Sequence, residues 1–177
     1  MTERAAAGLR RAADLIRSVP DYPEPGVMFR DITPLLADAA AFAAVIKGLA
    51  EPAIGADVVV GMEARGFLLG AAVAVVAGLG VIPVRKAGKL PLVAASRSYQ
   101  LEYGSATLEL PVGGIGPGTR AYLIDDVLAT GGTMRASCEL VERVGGTVVG
   151  IGVLLELPEL GGRDQLAGRD VHTLLPD

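Results

Sequence analysis

The stretch Arg120–Thr133, RAYLIDDVLATGGT, constrains the fold of this chain more than any other. Ala121 to Ile124 are apolar and read as a short buried strand. Asp125 and Asp126 follow at its exit, then a turn of small residues, Ala129-Thr130-Gly131-Gly132-Thr133. Met134–Val144 reads as a helix, with Met134, Cys138, Val141 and Val144 at helical spacing. Strand, acidic pair, glycine turn and helix together make a phosphate site in an open α/β sheet. Glycines let backbone N–H groups approach an anion closely. The helix N-terminus adds partial positive charge.

The kind of phosphate ligand follows from what is missing. A Walker loop needs a Lys before the Ser/Thr, and Gly132-Thr133 has none. A dinucleotide fingerprint starts its glycines directly after the strand, where this chain has two Asp. Paired acids ahead of a phosphate cradle suit a sugar phosphate, because carboxylates accept from two ribose hydroxyls while the loop holds the phosphate. The plain alternative is a surface turn with Asp126 or Thr130 as helix cap, which needs acids, spacing and glycines to coincide.

The 177 residues fit one domain with a substantial core. Hydrophobic residues make up 51% but aromatics only 4%, so the core is mainly Ala, Val, Leu and Ile. A net charge of −4 provides no global basic field for nucleic acid. The single cysteine, Cys138, leaves no intramolecular disulfide and suits a reducing cytoplasm. The single histidine, His172, argues against a His/Cys metal cluster. Arg4, Arg10 and Arg11 are not followed by an apolar core and cleavage signal, so no secretory leader is expected. A hydropathy window flags Gly66–Val84, but Gly78, Gly80 and Pro83 break it into a helix and a strand, and no membrane span is expected.

Taken in order, Glu3–Val19 predicts an amphipathic helix stopped by Pro20, Pro23 and Pro25. Pro23–Pro34 is turn-rich, and its Phe29 is either a core plug or a ligand-stacking face. Asp38 caps a helix with Phe42, Val45, Ile46 and Leu49 inside. Asp57–Gly61 is a continuous apolar strand of the kind buried in a parallel sheet, exiting into Met62–Gly66. Val81–Arg85 is the next strand, exiting into Arg85-Lys86-Ala87-Gly88-Lys89. Two strands thus deliver cations at their carboxyl ends, where open α/β sheets bind ligands; the alternative is a solvated basic turn. Leu90–Gly104 has no clean period and reads as a long loop ending in the alternating Tyr99–Gly104; Ser105–Leu110 alternates again, and the pair predicts a hairpin. Thr147–Glu156 is a strand, Pro158–Gly168 a short helix or loop, and Val171–Leu175 a last strand. The fold class is therefore α/β: a mostly parallel twisted sheet flanked by helices, with an antiparallel flap hairpin.

Tyr122–Thr133 resembles the phosphoribosyl pyrophosphate motif of the type I phosphoribosyltransferases. Pro25–Pro34, Gly61–Phe67, Arg85–Pro91 and Tyr99–Gly104 extend the likeness over nearly the whole chain. Gly26–Ile32 and Leu101-Glu102-Tyr103-Gly104 narrow it to the adenine phosphoribosyltransferase family. Leu92–Arg97 departs from the family pattern, and Val127 stands where Leu is usual.

The resemblance implies one phosphoribosyltransferase domain over 1–177, with an N-terminal hood-like segment. It implies transfer of a phosphoribosyl group to adenine, giving AMP and pyrophosphate, in purine salvage. Another base as acceptor, or a non-catalytic phosphoribosyl pyrophosphate sensor, are the alternatives. Asp125 and Asp126 are to hold the ribose hydroxyls, and Ala129, Thr130, Gly131, Gly132 and Thr133 the 5′-phosphate. Arg65, Arg85 and Lys89 are to meet the pyrophosphate, with a cis peptide expected at Glu63–Ala64. Val27, Met28, Phe29 and Arg30 are to form the adenine slot, with Val127 on the other face of the base. Glu102 is the implied acid/base group; the plain reading makes it a solvated strand-edge residue. The implied cofactor is Mg²⁺, held mainly by substrate oxygens with no protein ligand assigned. The implied partners are adenine, phosphoribosyl pyrophosphate and a second copy in a homodimer, with no nucleic acid and no membrane.

Overall fold

The computed structural model describes residues 3–100 and 105–175. The chain forms two compact units, Met1–Gly48 and Leu49–Asp177.

In the first unit, helix α1 (Glu3–Asp14) is followed by strand β1 (Arg17–Val19), which pairs antiparallel with β2 (Phe29–Asp31). The helix expected over Glu3–Val19 therefore ends early. Arg17–Val19 takes extended form because Asp31 accepts from Arg17 Nε at 3.1 Å while the two strands pair. A five-residue helix α2 (Thr33–Ala37) leads to α3 (Ala39–Ala50). Asp38 caps α3 as expected, accepting the Ala41 N–H at 2.9 Å. Val45, Ile46 and Leu49 are buried and Phe42 is half-buried.

The second unit is built on a seven-stranded sheet of order β5-β6-β4-β3-β7-β8-β9. Its strands are β3 (Val58–Met62), β4 (Gly80–Lys86), β5 (Val93–Gln100), β6 (Ser105–Pro111), β7 (Arg120–Leu128), β8 (Thr147–Glu156) and β9 (Val171–Thr173). The block β4-β3-β7-β8-β9 is parallel, as the continuous apolar runs require. Helices α4 (Arg65–Ala77) and α5 (Gly132–Arg143) make the crossovers after β3 and β7. Pro158–Leu160 and Asp164–Leu166 are single turns of 3₁₀ helix.

Two elements run longer than the sequence reading. β5 begins at Val93 rather than Tyr99, and its hairpin partner β6 pairs with the end of β4, so the flap extends the main sheet. β7 continues to Leu128, through the acidic pair, because β8 still offers a partner there. On its other side β7 loses its partner at Ile124, where β3 turns away. Asp125 and Asp126 thus have no partner on the β3 side, while β3 itself stays paired with β4 through Met62. Chain connections run toward β4 from β3 and toward β8 from β7, so this gap is the topological switch point.

The two helices pack differently. α5 buries Met134, Cys138 and Val141 against the sheet, as their spacing predicts. α4 lies on β3 through glycines. A Cβ on Gly61 would stand 2.8 Å from the Gly66 carbonyl oxygen, and one on Gly70 would stand 3.2 Å from Gly61 Cα. The opposite face of α4 leaves Leu68, Val75 and Val76 exposed.

Candidate active site at the switch point

Three loops converge on the gap between β3 and β7. The first follows β3 and contains Glu63, Ala64 and Arg65, with a cis peptide bond at Glu63–Ala64. α4 starts here with no side-chain cap, and the Phe67 N–H donates to the Ala64 carbonyl oxygen at 3.2 Å. Gly66 brings this helix end onto the acidic pair: a Cβ on it would lie 2.9 Å from Asp125 Oδ1.

The acidic pair is asymmetric. Asp126 is 5% exposed and its Oδ2 lies 2.7 Å from Arg65 Nε. Asp125 Oδ1 accepts the Asp126 N–H at 2.9 Å. Burial, and then the neighbouring Asp126 charge, push the Asp125 carboxyl well above the usual range.

The second loop, after β7, is the cradle. Asp125, Val127 and Leu128–Met134 line one pocket. Gly131 has φ of 79° and starts α5, again with no side-chain cap. Left-handed backbone at this point favours glycine. Ser137 Oγ fixes the Thr133 carbonyl at 2.8 Å.

The third loop follows β4 and holds the other cations. Glu63 gathers them: Arg85 Nε approaches Oε2 at 3.3 Å, the Lys86 N–H donates to the same oxygen at 3.1 Å, and Lys89 Nζ pairs with Oε1. Arg85 also lies over the Phe67 ring, 5.9 Å from its centroid. Burial pushes the Glu63 carboxyl up, but Lys89, Lys86 and Arg85 together outweigh it and hold it below its usual range.

The structure therefore brings together Arg65, Arg85, Lys89, Asp125, Asp126 and Ala129–Thr133, all within the second unit. Val27, Met28, Phe29 and Arg30 belong to the first unit. Val27 and Met28 are exposed there, while Phe29 is half-buried with Tyr22 edge-on at 5.1 Å. Glu102 lies outside the described residues.

Sequence reasoning missed two residues. Glu63 sits inside a quoted motif, but its partners are 22 to 26 residues away. Gly162 packs backbone to backbone against the cradle: a Cβ on it would lie 2.1 Å from the Ala129 carbonyl oxygen. Nothing in the local sequence Gly161-Gly162 signals that contact.

Comparison with known proteins shows the family to which this fold belongs. The family model described as a phosphoribosyl transferase domain matches residues 35–171. An adenine phosphoribosyltransferase of Clavibacter sepedonicus is 55% identical over 168 residues, covering 93% of this chain and 88% of that protein. The crystal structure of the enzyme of that name from Thermoanaerobacter pseudethanolicus superposes with a TM-score of 0.92 at 46% identity, covering 96% of this chain and 99% of that one. The Saccharomyces cerevisiae protein of that name, complexed with an imino-altritol bisphosphate and adenine, superposes with a TM-score of 0.90 at 34% identity, over 96% and 99% of the two chains. On its sheet, its switch-point loops and these likenesses, the chain belongs to the phosphoribosyltransferase family, among the adenine phosphoribosyltransferases.

Proposed function

We propose that this chain joins adenine to the 5-phosphoribosyl group of phosphoribosyl pyrophosphate, releasing AMP and pyrophosphate, in purine salvage. One observation carries the reading: an acidic pair, a glycine cradle and three cations meet at the switch point of a sheet shared with the adenine phosphoribosyltransferases. Both units serve one domain in this reading, supported by a family match that crosses Gly48.

The chemistry divides among the chain's own residues. The cradle Ala129–Thr133 binds the 5′-phosphate through backbone N–H groups and two hydroxyls. Asp125 and Asp126 accept from the ribose hydroxyls and face the positive charge that grows on the ribose ring. Arg65, Arg85 and Lys89 stabilise the negative charge that gathers on the departing pyrophosphate. Adenine is assigned to Val27, Met28, Phe29 and Arg30, the half-burial of Phe29 supporting a stacking role, and Val127 is assigned as a further contact of the base. Glu102 takes the proton that the base must lose to form the new bond.

Mg²⁺ fits this donor set. No group of three or more His, Cys, Asp or Glu forms a metal cage among the described residues. A hard ion that takes its ligands mainly from ribose and pyrophosphate oxygens needs none. When bound, it offsets charge on the leaving group.

The assembly in this reading is a homodimer. The exposed outer face of α4, with Val75 at 80% and Leu68 and Val76 beside it, supports a second copy as the partner. The single unpaired thiol, Cys138, supports a reducing, cytoplasmic setting.

Pyrophosphate release with Mg²⁺, phosphoribosyl pyrophosphate and each of adenine, hypoxanthine, guanine, xanthine and orotate tests the proposal. Release is expected with adenine. Release with another base alone overturns the acceptor, and release with none, alongside tight phosphoribosyl pyrophosphate binding, makes the protein a sensor.

A further inference from the structure

The flap strand β5 runs along α5, the helix whose first turn closes the cradle, and is fastened to it at three points. Arg143 Nη1 donates to the Ser96 carbonyl oxygen at 2.9 Å near one end. Arg97 pairs with Glu139 midway. At the cradle end, Tyr99 Oη and Thr133 Oγ1 are 2.8 Å apart. The first two contacts hold the strand on the helix. The third touches the group assigned to the 5′-phosphate.

Two hydroxyls this close share one proton on the line between them. Each has one hydrogen to give and two lone pairs to offer. If Thr133 donates to Tyr99, only lone pairs of Thr133 face the cradle, and they repel a phosphate oxygen. If Tyr99 donates, the Thr133 hydrogen is free to point at the anion. The Tyr99 ring packs against the core cluster that includes Met134 and Cys138, which fixes where its hydroxyl stands. The Thr133 carbonyl is already held by Ser137, so its hydroxyl is the remaining rotor at this position.

We propose that Tyr99 is a positioning residue for the 5′-phosphate: it donates to Thr133 Oγ1 and thereby aims the Thr133 O–H into the cradle. This rests on the reading of Ala129–Thr133 as the phosphate site. Neighbouring hydroxyls polarise one another in the same sense, so the Thr133 O–H is also a stronger donor with Tyr99 behind it than alone.

The test is calorimetric binding of ribose 5-phosphate and, separately, of pyrophosphate to wild type, Tyr99→Phe, Thr133→Val and the double variant. Tyr99→Phe keeps the ring and its packing, and thermal melting reports that the fold survives. It should weaken ribose 5-phosphate roughly 3- to 10-fold, the effect of losing one neutral hydrogen bond. Pyrophosphate affinity should stay within about twofold. In the Thr133→Val background the Tyr99→Phe change should have no further effect. In steady state, KM for phosphoribosyl pyrophosphate should rise by the same factor while kcat holds. Unchanged ribose 5-phosphate affinity in Tyr99→Phe overturns the proposal. So does an equal loss in both backgrounds, which would place the effect in packing. Failure of wild type to bind ribose 5-phosphate would remove the phosphate reading itself.

Discussion

Gly162→Ala tests whether the cradle keeps its shape because a distant segment leaves room for it. The added Cβ would stand 2.1 Å from the Ala129 carbonyl oxygen and 3.0 Å from the Gly131 nitrogen, where ordinary contact begins at 3.4 Å. Both neighbours are backbone atoms, so neither can swing aside, and the cradle must retreat by about 1 Å. The residue has no left-handed backbone to defend, so the methyl group is the whole perturbation. Overpacking of this kind costs about 1–3 kcal/mol. In a chain of this size that lowers Tm by about 2–12 °C, leaving a folded protein. Arg135 donates to Gln165 at 2.9 Å, a second tie between α5 and this segment that keeps it in place. A misplacement of about 1 Å at a reacting group is worth about 100-fold in rate. Initial rates at saturating adenine should therefore show kcat/KM for phosphoribosyl pyrophosphate reduced by about that factor, with KM for adenine little changed. A variant with lowered Tm but wild-type kcat/KM would refute the reasoning, because the cradle would then be independent of its buttress.

Asp125→Asn should melt higher than wild type by a margin that widens as pH rises from about 4. A carboxyl whose folded pKa is raised gives up stability as pH climbs from its unfolded value through its folded one, and Asn does not titrate. The same variant should lose most transferase activity, and a constant margin across pH would show that Asp125 is not the group responsible. Glu63→Gln should fold normally, because its partners Arg85 and Lys89 are 33% and 46% exposed and such pairs contribute at most about 1 kcal/mol each. Product inhibition by pyrophosphate should then strengthen about 3- to 10-fold as a competing carboxylate is removed; weaker inhibition would mean that Glu63 presents the cations instead of competing for them. If Mg²⁺ is held mainly by substrate oxygens, isothermal titration should show it binding far more tightly once phosphoribosyl pyrophosphate is present, and equally tight binding to the protein alone would overturn that reading.

What was legible in the sequence was whatever one strand or one turn determines locally. Val58, Val59 and Val60 form a strand buried on both faces, and an unbroken apolar run says so without help. The acidic pair and Gly131 were legible for the same reason. What was not legible depends on partners far along the chain. Arg17–Val19 is polar and three residues long, and it is extended only because Phe29–Asp31 pairs with it. Ser96, Arg97 and Ser98 hide the period of β5, which is a strand by virtue of its ladder with β6. β7 reads as finished at Ile124 because the aspartates break its apolar run, yet β8 carries its pairing on to Leu128. The contacts of Tyr99 with Thr133 and of Gly162 with Ala129 span 30 residues or more and leave no periodic trace.

The glycines that let α4 settle on β3 have a consequence for how such a chain can drift. Any missense change at Gly61, Gly66 or Gly70 adds atoms, since no smaller residue exists. At Gly66 the added carbon would stand 2.9 Å from both Asp125 Oδ1 and the Ile124 carbonyl oxygen. Each of these codons is thus bordered on every side by bulkier alternatives, and the seam offers no neutral step in sequence space. Adaptation to heat or to a new acceptor must then be written elsewhere, in the loops and on the outer face of α4, while the helix and the acidic pair stay locked at one separation.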